Sequence, residues 1–314
     1  MGSLRSDTRL TGNAPLARAE SAEGLTLGFV GSGRAARSLA RSLARRGHRL
    51  LVARRGDSAE LLSADVGAEL LDAAEAMGAA DVIILAVPDG RVAGLAAELA
   101  AEARPGEVAR PGEGRVVLHL AGSLGLEVLA PLAAAGYATA AMHPLQVLSG
   151  WRIAPGTTFA VEADEAARPL VSRLVADLDG VEIALPAGAR VAYHTAAVIA
   201  ANLGMTLLAE AVDILEEHGI DRDQALQGLS GLVRGGLEAS LDSGLPAALT
   251  GPVTRGDAST VAAHLAVLAA DPDLHAAYLA VSRLALRQAR KDGRPATGAE
   301  AVAALIDAPL EEPS

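Results

Sequence analysis

The chain has 314 residues, 51% of them hydrophobic, a formal net charge of −11 and no cysteine. That length allows two domains with cores of their own. The acidity argues against nucleic acid or an anionic membrane as partner. The missing cysteines exclude disulfides, thiolate metal sites and cysteine nucleophiles, and they fit a cytoplasmic protein. Lys291 is the only lysine, so a reaction that needs an amine has one candidate.

Residues 1–22 are polar and lack an apolar core of signal-peptide length, and they read as a disordered leader. Leu25–Val30 then reads as a short buried strand, followed by a glycine turn and a helix over Arg34–Arg46. Gly31, Gly33 and Ala36 fill the three small-residue positions of a dinucleotide fingerprint. Gly31 permits the tight turn, Gly33 lets the backbone approach a pyrophosphate, and Ala36 lets the helix pack close to the strand. The backbone of Gly31, Ser32, Gly33, Arg34 and Ala35 would cradle the phosphates at the helix start. A second strand, His48–Ala53, ends in Arg54 and Arg55, where an NAD enzyme usually carries a carboxylate for the ribose. Two guanidiniums there suit a 2′-phosphate, because the planar fork donates in pairs. The cofactor expected is therefore NADP.

Asp81–Val87 is a nearly continuous apolar run, as in a parallel strand buried on both faces. It ends in Val87 and Pro88, expected on the ribose side of the cofactor. A helix over Arg91–Ala103, a surface loop over 104–114 and a strand over Arg115–Leu120 follow. Tyr137–Met142 is a short strand running into His143-Pro144. Thr158–Glu162 and Val181–Leu185 are strands flanking a helix over Glu165–Leu178. The alternation argues for a Rossmann-type doubly wound parallel sheet over 23–187.

An all-helical domain over 188–310 follows. Gly188–His218 is one helix of about 45 Å or two helices breaking near Gly204. Its most apolar stretch, Thr195–Ala209, is interrupted by Asn202 and is too short to span a bilayer. Helices over Asp221–Leu241, Ala258–Ala270, Pro272–Lys291 and Gly298–Leu305 complete the chain, with Asp257 placed to cap the second of these.

Ligands of open α/β sheets bind beyond the carboxyl ends of the strands. Ser123 and His143 fall there; Ser123 reads equally as a helix cap. In the long helix, His194 can donate a proton near neutral pH. Asn202 lies about 80° around and ~12 Å along the helix from it, so the two can line one cleft without gripping one carbonyl. Thr250 and Arg255 stand in a Gly/Pro-rich loop, where Arg255 could clamp a substrate carboxylate or pair with Asp257. His264 and His275 lack companions at metal-ligand spacing, so no metal is expected.

Five motifs occur in order: Gly28-Phe29-Val30-Gly31-Ser32-Gly33-Arg34, His119…Gly122-Ser123, His143-Pro144-Leu145-Gln146, Tyr193-His194…Asn202, and Leu249-Thr250-Gly251-Pro252…Arg255-Gly256-Asp257. Over about residues 23–295 the chain resembles bacterial Rossmann-like proteins with a C-terminal domain of unknown function 2520. These are similar to pyrroline-5-carboxylate reductase, 3-hydroxyisobutyrate dehydrogenase and ketopantoate reductase. His143-Pro144 also resembles a loop of prephenate dehydrogenases. The resemblance implies a helical domain like that of 6-phosphogluconate dehydrogenase and a homodimer formed through it. It also implies hydride transfer between a nicotinamide and a small oxo acid or cyclic imine lying between the domains. The hydroxyisobutyrate and ketopantoate enzymes carry a catalytic lysine where this chain has His194. That departure makes His194 the expected proton donor, and it leaves open a non-catalytic NADP(H)-binding regulator.

Overall fold

The computed structural model describes residues 24–55, 58–102, 115–245, 249–291, 293 and 297–308. The expected leader (1–22), the loop expected over 104–114 and the last residues of the helical domain lie outside them. The chain divides into two compact units, 1–197 and 198–314.

The first unit is built on eight strands: β1 (Thr26–Val30), β2 (Arg49–Ala53), β3 (Glu69–Leu71), β4 (Val82–Leu85), β5 (Val116–His119), β6 (Ala138–Pro144), β7 (Thr158–Ala163) and β8 (Val181–Ala184). Their order is β3-β2-β1-β4-β5-β6-β7-β8. Strands β1 to β6 are parallel, as the apolar runs predict. The doubly wound parallel sheet expected from the sequence is present, with one reversal at its far end: β7 is antiparallel to β6, and β8 is parallel to β7. Among the described residues, seven helices connect the strands or leave them: α1 (Arg34–Leu43), α2 (Ser58–Val66), α3 (Ala73–Ala79), α4 (Asp89–Glu102), α5 (Ala130–Ala134), α6 (Arg168–Asp177) and α7 (Arg190–Ala197). Leu27, Phe29, Val52, Ile84 and Leu118 pack into a core on one face of the sheet. Val30, Leu51, Ile83, Leu85 and Val117 pack into another on the opposite face. That is the period-2 alternation of a doubly covered sheet.

The expected helix over Arg34–Arg46 is α only to Leu43, and Ala44–Arg46 tightens into a 3₁₀ turn that ends at left-handed Gly47. The stretch read as one helix or two is one helix with an irregular turn inside it. Helix runs from Arg190 to Glu217, with a π-helical segment, Val198–Leu203, carrying Asn202. This helix is long and apolar enough to cross a bilayer, which corrects the reading from Thr195–Ala209 alone. Its first residue is a buried, ion-paired guanidinium of the sheet unit.

The second unit holds α8 (Gly204–Glu217), α9 (Arg222–Ser243), α10 (Pro252–Arg255), α11 (Ala258–Leu268), α12 (Pro272–Lys291) and α13 (Ala299–Ile306). Asp221 and Asp257 cap α9 and α11 by accepting backbone N–H bonds. A small core joins Val253, Val261, Leu279, Leu286, Val302 and Ile306. Much apolar surface remains exposed, including Leu232, Leu237 and Leu241 of α9.

Candidate active site

The fingerprint turn is built as its sequence requires. Gly31 sits at φ +112°, and a Cβ there would stand 2.4 Å from the Ala86 carbonyl oxygen. Ala36 is fully buried between α1 and the sheet. Gly33 begins α1 from extended backbone, with no side chain capping the helix and no acid in its first turn. A Cβ on Gly33 would meet nothing within 4 Å. The first N–H groups of α1 therefore stand open beside bare backbone, the cradle that a pyrophosphate requires. Ser32 shares a 2.6 Å hydrogen bond with Ser58, and Arg37 donates to the Ser32 carbonyl. The turn's polar groups outside the cradle are thus tied back to the protein.

Past β2 the two arginines differ. Arg54 is exposed and has no carboxylate partner among the described residues. Arg55 is half-buried and pairs with Glu98 at 3.0 Å and Glu102 at 3.7 Å. Of the two guanidiniums, Arg54 is therefore the less engaged by carboxylates among the described residues.

A second group of side chains gathers past β5 and β6. His143 is in strand β6 itself, not in the turn after it. Its Nδ1 and the Tyr193 hydroxyl, from α7, share a 2.7 Å hydrogen bond, with the rings edge to face. The His143 and His194 ring centroids are 6.1 Å apart. A Cβ on Gly122 would stand 2.5 Å from His194 Nδ1 and 3.1 Å from His143 Nε2, so glycine lets both imidazoles close on the backbone after β5. His194 Nδ1 is buried with no hydrogen-bond partner among the described residues. Ser123 Oγ is 3.4 Å from an Asp89 carboxylate oxygen, a long contact, and it caps no helix.

Two buried residues that the sequence reading did not assign hold this group together. Arg190 is 2% exposed. It pairs with Glu162 at 3.2 Å and donates to the carbonyls of Ala121, Ala141 and Ala160. One guanidinium thus joins the loop after β5, strands β6 and β7, and the first turn of α7. Its signal in the sequence is a lone arginine opening an apolar helix. His119, fully buried, accepts from the Ala121 N–H through Nδ1 and donates to the Gly125 carbonyl through Nε2. That arrangement needs the neutral ring, and burial lowers its pKa accordingly.

Burial, then the neighbouring His194 and Arg190, push the His143 pKa down to about 4. Burial also raises the Tyr193 phenol above its ordinary value. Near pH 7 the pair is therefore a neutral imidazole and a neutral phenol.

The remaining expected site residues belong to the second unit. Asn202 is exposed. Thr250 gives its carbonyl to the Arg255 guanidinium, and Asp257 holds the start of α11. The Arg255–Asp257 ion pair, one of the two alternatives left open for Arg255, is not formed. Thr254 closes the same loop onto the Leu249 and Gly251 carbonyls. Gln146, from the His143-Pro144-Leu145-Gln146 motif, binds Ala154 and Thr157 and so fixes a loop.

A Rossmann sheet with an open phosphate cradle and a cluster of proton-carrying side chains past the later strands defines a dinucleotide-dependent oxidoreductase. Residues 26–108 match the family described as NADP oxidoreductase, coenzyme F420-dependent. Residues 157–285 match the domain of unknown function 2520. The chain thus joins a segment similar to NADP oxidoreductases to a domain of unknown function 2520. No curated protein matches it.

Solved structures share its fold. A Bacteroides fragilis protein, described as a candidate NADP oxidoreductase, is 24% identical with a TM-score of 0.67, over 83% of this chain and 98% of that one. An imine reductase from a Pseudomonas species is 16% identical, TM-score 0.62, over 90% and 100%. A pyrroline-5-carboxylate reductase from Coxiella burnetii is 16% identical, TM-score 0.57, over 86% and 98%.

Proposed function

We propose that the protein reduces the carbonyl of a small oxo acid of the ketopantoate kind, or the C=N bond of a cyclic imine. The observation that carries this reading is the meeting of Gly122, His143, Tyr193 and His194 beside the sheet that begins with the open fingerprint cradle. NADPH supplies the hydride. The backbone of Gly31, Ser32, Gly33, Arg34 and Ala35 holds its pyrophosphate, and Val87 and Pro88 border the ribose. Arg54 takes the 2′-phosphate, joined by Arg55 if that side chain leaves Glu98 and Glu102. His194 and Ser123 hydrogen-bond the reacting group. The proton comes from the cluster around His143, because the sole lysine is the last residue of α12. Asn202 and Thr250 carry polar groups that can brace a ligand. Arg255 would first have to leave the Thr250 carbonyl.

The apolar surface of the second unit supports assembly of two copies through it. Leu232, Leu237 and Leu241 are 73%, 62% and 87% exposed on one helix, more than an isolated soluble domain ordinarily leaves uncovered. A cytoplasmic location agrees with the cysteine-free sequence.

The reading is tested by following NADPH absorbance with ketopantoate and with 1-pyrroline-5-carboxylate as probes. Consumption that depends on one of them is the expected result. Tight NADPH binding without consumption by any small carbonyl or imine would instead favour a regulator that senses the cofactor.

A further inference from the structure

We propose that Tyr193, and not His194, gives the proton to the substrate, and that His143 returns it. This rests on the reductase reading above. Tyr193 and His143 share one short hydrogen bond, 2.7 Å between the phenol oxygen and Nδ1. A neutral imidazole carries its hydrogen on one ring nitrogen only, and the choice decides where the phenol hydrogen points. With the hydrogen on Nε2, Nδ1 accepts and the Tyr193 hydrogen is committed to His143. With the hydrogen on Nδ1, His143 donates to the phenol oxygen and the Tyr193 O–H is free to face a ligand.

The second arrangement makes a relay. The Tyr193 O–H bond breaks as a new bond from that hydrogen to the substrate's oxygen or nitrogen forms. The His143 Nδ1 hydrogen moves to the phenol oxygen, Nε2 takes a proton from solvent, and exchange of that Nε2 hydrogen with solvent followed by protonation of Nδ1 restores the starting tautomer. The hydride from NADPH goes to the adjacent carbon, so one hydride and one proton reduce one double bond. His194 is placed differently, because its Nδ1 is buried against Gly122 without a partner among the described residues. Among the described residues no hydrogen bond ties that Nδ1 to a group that could return a proton to it.

The pair also separates the two substrate classes. A carbonyl needs its proton as the alkoxide develops, and a neutral phenol suits that. An iminium arrives already protonated and gains little from Tyr193. The buried Arg190 guanidinium nearby is paired with Glu162, so its charge does not choose between the two classes and the choice rests on the phenol. The substrate inferred is therefore the oxo acid.

Two measurements test this. Nitrogen NMR of the histidine rings, assigned by a His143→Asn variant, reads the tautomer without any turnover. Hydrogen on Nδ1 of His143 in the wild type, moving to Nε2 in Tyr193→Phe, is expected. Hydrogen already on Nε2 in the wild type overturns the relay. In turnover with ketopantoate, Tyr193→Phe is expected to lower kcat about 10²- to 10⁴-fold, the usual worth of a general acid, with NADPH Kd unchanged within about twofold. The loss in His194→Ala should be smaller. A Tyr193→Phe enzyme as fast as the wild type overturns the donor alone. A wild type that consumes no NADPH with either probe overturns the reductase reading, and the donor with it.

Discussion

Two stretches of this chain are dense in glycine: Gly31–Ala36 and Leu249–Asp257. In the sequence they look equally like ligand loops, yet the structure uses them in different ways. At Gly33 the space beyond the backbone is open, and the helix start has no side-chain cap. In the second stretch the special residues are engaged with one another. Pro252 opens a short helix, and left-handed Gly256 closes it. Gly256 also packs on Gly298, where a Cβ would stand 2.6 Å from the Thr297 carbonyl oxygen. Unusual backbone therefore does not by itself mark a site. Polar groups that the protein leaves unsatisfied at an open surface do.

The largest effect expected is at Arg190, which lies outside both glycine stretches and braces the group around His143. Arg190→Met leaves Glu162 and three carbonyls without their partner. It should cost about 3–5 kcal/mol in unfolding free energy, read by urea denaturation. A cost below about 1 kcal/mol would mean that the brace is incidental.

Three alanine substitutions break the comparison between the glycines directly. Gly31→Ala (φ +112°) and Gly256→Ala (φ +74°) each meet a backbone carbonyl. Each should lose about 1–3 kcal/mol or more, and only Gly31→Ala should also weaken NADPH binding. Gly33→Ala should keep stability within about 1 kcal/mol and still lower NADPH affinity by roughly tenfold or more. Titration of the three variants beside thermal melts separates these outcomes. Equal NADPH loss in Gly33→Ala and Gly256→Ala would erase the distinction.

Arg54→Ala sharpens the same boundary. Loss of a charge-assisted phosphate contact is worth about 1.5–3 kcal/mol, so NADPH should weaken roughly tenfold to a hundredfold while NADH is unchanged. Arg55→Ala should do less, because its guanidinium already pairs with Glu98 and Glu102.

A smaller effect is expected with pH. The His143 pKa lies near 4 when folded, below an ordinary histidine near 6.5. Between those values the unfolded chain binds a proton that the folded chain does not. Stability should therefore fall as pH drops from about 6.5 toward 4, with no contribution from this group above that window. His143→Asn should flatten this part of the profile, and an unchanged profile would assign it to another group.

Much of the sheet was legible because buried parallel strands are written as apolar runs, such as Asp81–Val87. Glu69–Leu71 was missed because three half-exposed residues make no run. The reversal at β7 was missed because pairing direction leaves no mark on composition. At the site, the fingerprint, Ser123, His143 and His194 were legible as chemical residue types at strand ends or in the apolar helix. The Tyr193–His143 bond was not, since it joins residues 50 apart in sequence. Arg190 was passed over because one charged residue at a helix start reads as a solvated end, and only the fold shows it buried.

The most direct test of the central claim is an equilibrium titration of the purified protein with NADPH and NADH side by side. Clear preference for NADPH, lost in Arg54→Ala, is the expected result. Binding of neither nucleotide, or equal binding of both, would contradict the cradle and the phosphate site together.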